Sequence, residues 1–402
     1  MGRMIFALLL VGPFIAGAAQ ITAGEQSNVG RAQSVTPTFL NPEMVHAVVE
    51  NSRPGEYIPI CPSLCELSDE RLLIVYHRTT KVDWYGGYST WSRISSDGGK
   101  TWSEPRLIAE KMQAPGLVRL GSGDLLLCGA EALGKQSTTM KLFRSNDDGK
   151  TWKPQRHIWE RSSGMRLQGG CGSLIELKSG RILCPCHGGA GGNYNSRFEA
   201  WCYYSDDRGK TWAESERKVK LPKRGAMEPS IAQLRDGTLL MAMRTQLGAI
   251  YLSLSTDDGA TWGEAWSSGL EAPEAPFAMA AFPKGEGLLM VYCSGKFNPK
   301  HHHSGERTPM TAAVSTDGGK KWKKVCDIAG GDGQGMGAAG TSSICFTADG
   351  KAVIAYNWNK KAWDRRQGAA GGTRVAIADT TWFISQLRER EKQAIIDRPT
   401  GE

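Results

Sequence analysis

The sequence predicts an all-β protein folded as a six-bladed β-propeller. An octapeptide of the form Ser-x-Asp-x-Gly-x-Thr-Trp recurs, and its copies start 50, 60, 50 and 60 residues apart. A hairpin pattern of two short apolar strands precedes each copy, and a sixth hairpin near the end of the chain has no octapeptide after it. One supersecondary unit repeated at this period is typical of a propeller, in which each blade has about four strands.

The octapeptide predicts a tight turn at the end of a strand. Its Ser and Asp side chains can hydrogen-bond to nearby backbone groups, its Gly supplies a positive φ, and its Trp packs the turn onto the sheet. The fifth copy has Lys321 in place of Thr. The five copies are Ser95–Trp102, Ser145–Trp152, Ser205–Trp212, Ser255–Trp262 and Ser315–Trp322.

The hairpins give the order of the blades. They run from Ser63 to Tyr76, Gly116 to Cys128, Gly172 to Pro185, Pro229 to Met243, Ala278 to Tyr292 and Ser342 to Tyr356. A closed propeller needs its last blade completed, usually by a strand from the other terminus. The apolar segment from Val45 to Val49 precedes blade one, and we expect it to do this.

The chain divides into four parts. Residues 1–19 have a basic residue, an apolar run and a small-residue stretch, which together predict a signal peptide and a secreted or periplasmic protein. Residues 20–40 are polar and are expected to be flexible. Residues 41–385 form the propeller, and residues 386–402 a C-terminal helix or tail. Apolar residues at helical spacing from Trp382 to Ile396 predict the helix.

Charge and composition indicate which classes of partner to expect. The net charge of +8 is spread along the chain without a dense basic run, which disfavours nucleic acid and fits an anionic small substrate. No segment after the signal peptide is long and apolar enough for a membrane span, and we expect a monomer without a cofactor.

Ten cysteines permit disulfides in an exported protein, but the sequence does not show which of them pair. Cys184, Cys186 and His187 might suggest a metal site, but Cys184 and Cys186 are two apart on a strand and share a face, so they are expected to be buried rather than to bind a metal.

Two charged residues suggest a functional site. Glu228 opens the first strand of the fourth hairpin, and Arg244 ends the second. With the turn near Gly237, those two strand ends come together at one edge of the sheet. An acid beside a guanidinium could bind and act on an anionic ligand. The structural alternative is an ion pair that ties the end of a hairpin.

From about Tyr57 to Trp382 the sequence resembles the sialidase (neuraminidase) family, a six-bladed propeller whose repeated turns are called Asp boxes. The resemblance implies that Glu228 polarises the catalytic nucleophile. It implies that Arg244 and Arg307 are two of three arginines that bind the carboxylate of a sialic acid. Asp83, in the loop after strand two of blade one, resembles the acid/base that protonates the departing oxygen.

The sequence departs from the family pattern at three positions. Ile60 stands where the resemblance predicts the first arginine, and Ala114 where it predicts a second aspartate. Thr341 stands where the nucleophilic tyrosine is expected, and its hydroxyl stays protonated. Arg78, one turn earlier in the same loop as Asp83, could supply the missing cation and is a further candidate for substrate binding.

The resemblance leads to three hypotheses. The first is an exported sialidase-like glycoside hydrolase that acts on a terminal acidic sugar, in which Glu228 activates water directly and Asp83 protonates the leaving group. The second is a carbohydrate-binding propeller that has lost catalysis, which the missing tyrosine and arginine favour. The third is a lyase or hydrolase of another acidic sugar. The identity of the sugar and of the nucleophile stays open.

Overall fold

The strands form six antiparallel sheets arranged as the blades of a β-propeller, which confirms the predicted fold class. The computed structural model describes residues 39–53, 56–80, 87–133, 137–159, 166–169, 174–189, 197–300, 304–330, 342–359 and 371–396.

The first three blades follow one another along the chain. Blade one contains β3 (Ile58–Glu66), β4 (Leu72–Thr79), β5 (Tyr88–Ser95) and β6 (Arg106–Glu110). Blade two contains β7 (Gln113–Arg119), β8 (Leu125–Ala132), β9 (Thr138–Ser145) and β10 (Lys153–Pro154). Blade three contains β11 (Arg166–Gly169), β12 (Ile175–Glu176), β13 (Ile182–Gly189), β14 (Glu199–Ser205), β15 (Ala213–Glu214) and β16 (Val219–Lys220).

Segments from the N-terminal part of the chain add strands to the last two blades. Blade four contains β17 (Met227–Gln233), β18 (Leu239–Arg244), β19 (Ala249–Ser255) and β20 (Trp266–Glu271). Blade five contains β21 (Ala278–Ala281), β22 (Leu288–Cys293), β23 (Met310–Ser315), β24 (Lys323–Gly330) and β1 (Phe39–Leu40). Blade six contains β25 (Ser342–Phe346), β26 (Lys351–Asn359), β27 (Gly371–Asp379) and β2 (Val45–Asn51).

The propeller is closed by β2, which pairs antiparallel with β27 of blade six. The prediction that the Val45–Val49 segment completes the last blade is therefore confirmed. The strand also buries Val49 in a hydrophobic cluster shared by blades six and one. Closure in this way pairs the outer edge of blade six with a segment that precedes blade one in sequence.

The octapeptides form the predicted turns. In the first copy, the hydroxyl of Ser95 accepts a hydrogen bond of 2.8 Å from the backbone N–H of Gly99. The Thr101 hydroxyl donates to a carboxylate oxygen of Asp97 at 2.6 Å. The indole N–H of Trp102 donates to the Gly99 carbonyl at 3.1 Å. Gly99 has a φ of +94°, a conformation that a residue with a Cβ rarely adopts.

The C-terminal helix α1 spans Thr380–Ile396, so it begins before the predicted limit of the propeller at residue 385. Phe383 and Leu387 pack into the cluster of blades five and six, which fixes the helix on the outside of the propeller. Among the described residues, no helix has the length and hydropathy that a membrane span requires.

The described cysteines are thiols. Nine of the ten are described and none of these is in a disulfide; eight of the nine are buried. Cys184 and Cys186 lie in the hydrophobic cluster between blades two and three. In the part of the chain that the structure describes, no three His, Cys, Asp or Glu residues are grouped as metal ligands would be.

Candidate functional site

The same β-bulge occurs in the first strand of blades one, two and four. In each case two residues, the second of them proline, lie opposite one residue of the neighbouring strand. Proline fits here because it has no N–H to leave unpaired. The first residue of each bulge has a positive φ, which is uncommon for any residue but glycine. These residues are Cys61 (+55°), Ala114 (+49°) and Glu228 (+42°).

The bulge in blade four brings Glu228 to Arg244. Met227 pairs with Arg244 across the two strands, and Glu228 is the next residue. A guanidinium N–H of Arg244 donates to a carboxylate oxygen of Glu228 at 2.8 Å. Arg244 is buried, with 8% of its surface exposed. The prediction from the hairpin pattern, that these two strand ends meet, agrees with this geometry.

Glu274 joins this pair and was not predicted from the sequence. It lies between β20 and β21, is 1% exposed, and accepts a hydrogen bond of 3.2 Å from the Arg244 guanidinium. It also forms an ion pair with Arg224, and its second oxygen accepts from the side-chain amide of Gln246 at 2.8 Å. The one sequence signal is an acid between small apolar residues and prolines, in Ala272 to Pro276.

Arg307, in the segment before β23, lies next to these residues. Its guanidinium donates to the backbone carbonyl of Glu274 at 2.8 Å, and 7% of the residue is exposed. Burial lowers the pKa of Arg307 to about 9, and the nearby charge of Arg244 acts in the same direction. The guanidinium therefore stays charged at neutral pH.

Glu228 is ionised at neutral pH. Burial is the largest single effect and acts to raise its pKa, but the charge of Arg244, its hydrogen bond and the other positive charges nearby together outweigh burial, and the pKa lies below the usual 4.5. The described cluster thus combines three guanidinium groups with two carboxylates, which leaves one net positive charge. A mono-anion is the complementary ligand. These five residues, the anion-site cluster, are Arg224, Glu228, Arg244, Glu274 and Arg307.

Arg78 lies near the end of strand β4 and not in the loop where it was expected, because its backbone pairs with strands on both sides, and it belongs to a different group of side chains. Its guanidinium forms an ion pair with Glu50 and stacks between the rings of Tyr57 and Trp91, with its central carbon 4.2 and 3.9 Å from their centroids. Glu50 belongs to the closing strand β2, so this contact joins blade six to blade one. The role of Arg78 in substrate binding stays a prediction.

The other sequence-predicted positions are placed only in part. Asp83 and Thr341 lie outside the described residues. Ile60 is buried and precedes the bulge residue Cys61, so the position assigned to a missing arginine is next to the bulge of blade one. Ala114 occupies, in blade two, the bulge position that Glu228 occupies in blade four.

Comparison with known proteins places the chain in a family. The family model described as a BNR repeat-like domain matches residues 107–352. The chain belongs to the BNR repeat-like family. This BNR-repeat protein is similar to a sialidase of Bacteroides fragilis (strain YCH46), 25% identical over 298 residues that cover 62% of this chain and 51% of the relative. It is also similar to a sialidase of Clostridium perfringens, 28% identical over 133 residues that cover 31% of this chain and 34% of the relative. The chain thus spans about half, or less, of these relatives' length.

Solved structures share the propeller fold of this BNR-repeat protein. A leech intramolecular trans-sialidase superimposes with a TM-score of 0.66 at 14% identity, covering 84% of this chain and 70% of that one. The NanB sialidase of Streptococcus pneumoniae gives a TM-score of 0.65 at 14% identity over 85% and 70% of the two chains. A protein of unknown function from Dyadobacter fermentans gives 0.64 at 20% identity over 84% and 100%. At these identities the likeness concerns the fold, which confirms the sialidase-like propeller.

Proposed function

We propose that this protein is an exported glycoside hydrolase of sialidase type that cleaves a terminal acidic sugar. The observation that carries the proposal is the anion-site cluster, in which Arg244 and Arg307 are buried beside Glu228. Strands from one blade and a segment of the next bring these residues together from distant positions in the sequence. An ion pair that only tied a hairpin end would not need the second and third arginine.

The substrate carboxylate binds to the arginines of the cluster. Guanidinium groups form charge-assisted hydrogen bonds with a planar carboxylate, and they do so most strongly where water is excluded. One net positive charge among the described groups is neutralised by one sugar carboxylate. Sugars with an anionic carboxylate at the anomeric carbon, as in sialic acid, are the class of ligand that fits.

Glu228 and Asp83 then perform the two proton transfers of the reaction. Glu228 takes a proton from a water molecule as the water oxygen bonds to the anomeric carbon. The bond from that carbon to the glycosidic oxygen breaks, and Asp83 protonates the departing oxygen. A water nucleophile accounts for threonine at position 341, and it inverts the anomeric configuration.

Release of 4-methylumbelliferone from its α-sialoside tests the proposal. Wild-type protein is expected to turn over, whereas Glu228→Gln and Asp83→Asn should each lower kcat by about 100-fold or more, because each removes a proton-transfer group. The matched control is Glu264→Gln, since the Glu264 side chain is 94% exposed and lies outside the cluster. Folded wild-type protein without turnover would contradict the hydrolase proposal.

Proton NMR of the first-formed sugar tests the direct-water step. It should show an inverted anomeric configuration, and a retained configuration would exclude that step.

A binding function without turnover is the second candidate. The observation in its favour is Ile60, a buried aliphatic residue where the sialidase resemblance predicts an arginine. Loss of that cation removes stabilisation of the transition state, while Arg244 and Arg307 still allow a sugar carboxylate to bind. Micromolar affinity for sialosides together with no release of methylumbelliferone would support this candidate over hydrolysis.

A further inference from the structure

One hydrogen bond recurs at three junctions between blades. The backbone N–H of the first residue in each bulge donates to a side chain of the preceding blade, on strand β4, β13 or β26. His77 Nδ1 accepts from Ala114 at 3.0 Å, His187 Nδ1 accepts from Glu228 at 3.2 Å, and Asn357 Oδ1 accepts from Cys61 at 2.8 Å. We call these the junction bonds.

The junction bonds satisfy an amide that the bulge turns away from its own sheet. A buried N–H without a partner is costly, so a side-chain acceptor on the neighbouring blade stabilises the positive-φ conformation. The rings of the two histidines make similar aromatic contacts. Each makes an edge-to-face contact with an aromatic residue at or just before the start of the next strand: the ring centroids of His77 and Tyr88 are 5.8 Å apart, and those of His187 and Phe198 are 5.1 Å apart.

We infer that His187 is a positioning residue, which fixes Glu228 for the reaction through its junction bond. The inference rests on the proposed function of Glu228. To accept at Nδ1, the imidazole of His187 must carry its proton on Nε2 and be neutral. The bond anchors the backbone nitrogen of Glu228, from which the carboxylate reaches the Arg244 guanidinium at 2.8 Å.

The chain contains a matched control for this role. The junction bond of His77 has the same geometry, but it holds Ala114, which has no side chain that could act on a substrate. Asn357 shows that an amide oxygen can make the same bond. Asparagine at position 187 should therefore preserve the bond, and an isosteric apolar residue should remove it.

The experiment compares His187→Leu, His187→Asn and His77→Leu with wild type. Both leucine variants should lower the melting temperature by similar amounts, since each leaves one buried amide unpaired. Only His187→Leu should lower kcat, by about 10-fold to 100-fold with a smaller change in KM, because misplacement of a reacting group by about 1 Å has such an effect. His187→Asn should keep kcat within about threefold of wild type, as its amide oxygen restores the acceptor. Equal kcat in the two leucine variants, or no rescue by asparagine, would overturn the inference.

Histidine ring labelling with nitrogen-15 gives a readout that does not depend on turnover. The signal missing from the His187→Asn spectrum identifies His187, and near neutral pH it should show an unprotonated Nδ1 and a protonated Nε2. A protonated Nδ1 would refute the junction bond. If wild-type protein binds N-acetylneuraminate without turnover, the hydrolase proposal fails. The role of His187 is then tested by the affinity of the two leucine variants for N-acetylneuraminate. Weaker binding by His187→Leu than by His77→Leu would then support it, and equal binding would contradict it.

Discussion

Glu228 has a backbone conformation and an ionisation state that depend on its neighbours. Its φ of +42° belongs to the left-handed region, which costs a non-glycine residue free energy unless surrounding contacts hold it there. Its carboxylate is held ionised by Arg244, although burial favours the neutral acid. Both features are typical of residues with a functional role, and both are absent from the local sequence pattern.

The ionisation of Glu228 predicts how stability depends on pH. Its pKa in the folded protein is below 4.5, so its contribution to stability is fully present above the unfolded value and is lost as pH falls through the folded value. Glu228→Gln removes this titration. The difference in melting temperature between wild type and Glu228→Gln should be constant from about pH 7 to 5 and shrink below about pH 4.5. A difference that grew as pH fell would contradict the depressed pKa.

At the scale of the element, the Asp-box turns vary in a way that can be tested. In the first four copies a threonine hydroxyl donates to the turn aspartate at 2.5–2.6 Å. The fifth copy keeps the backbone bond from Lys321 to Asp317 at 2.9 Å, but lysine has no hydroxyl. In the first copy the hydrogen bond from the Thr101 hydroxyl is the largest of several hydrogen bonds that together lower the pKa of Asp97 to about 2.

Lys321→Thr should therefore stabilise the protein. The added hydroxyl can bond to Asp317 as Thr101 bonds to Asp97, a gain of about 1 kcal/mol in unfolding free energy. The reverse change, Thr101→Lys, removes such a bond and should destabilise by a similar amount. Urea denaturation measures both. If Lys321→Thr were neutral while Thr101→Lys destabilised, the fifth turn would not depend on the hydroxyl bond.

The elements could be predicted from the sequence because their signals are local. The octapeptide fixes its own turn, and the hairpin spacing brings Glu228 to Arg244 within a single blade. Glu274 could not be predicted in this way, since its partner Arg224 is 50 residues away. The junction bond between Cys61 and Asn357 joins residues 296 positions apart. Such contacts depend on the arrangement of blades around the propeller, which no short segment encodes.

At the scale of the whole molecule, closure brings a charged residue to the boundary between the first and last blades. Glu50 on the closing strand is 5% exposed and forms ion pairs with Arg78 and, at 3.6 Å, Arg93 of blade one. The phenol of Tyr57 donates to the same carboxylate at 2.8 Å. The position of Arg78 illustrates the limit of sequence reasoning: its acidic partner is 28 residues earlier, in a strand that belongs to another blade.

Glu50→Gln should weaken closure of the propeller. It leaves the partly buried guanidinium of Arg78 without its carboxylate. Removal of one partner of a fully buried pair costs about 3 kcal/mol or more, so a loss of about 2 kcal/mol is expected here. The matched control is Asp379→Asn, which breaks the exposed ion pair with Lys351 in the same blade. That change should cost about 0.5 kcal/mol or less. Urea denaturation measures both losses of unfolding free energy, and hydrogen exchange shows which strands are destabilised.

In Glu50→Gln the amides of β2 and β27 should exchange faster than those of blades two to four, because loss of the contact between blades six and one frees the closing strand first. Adding Arg78→Met to Glu50→Gln removes one of the two uncompensated charges, the other being Arg93, and should recover part of the lost stability. A uniform increase in exchange across all six blades would contradict local opening. It would mean that the propeller unfolds as one cooperative unit and that Glu50 stabilises the whole rather than the junction at which it lies.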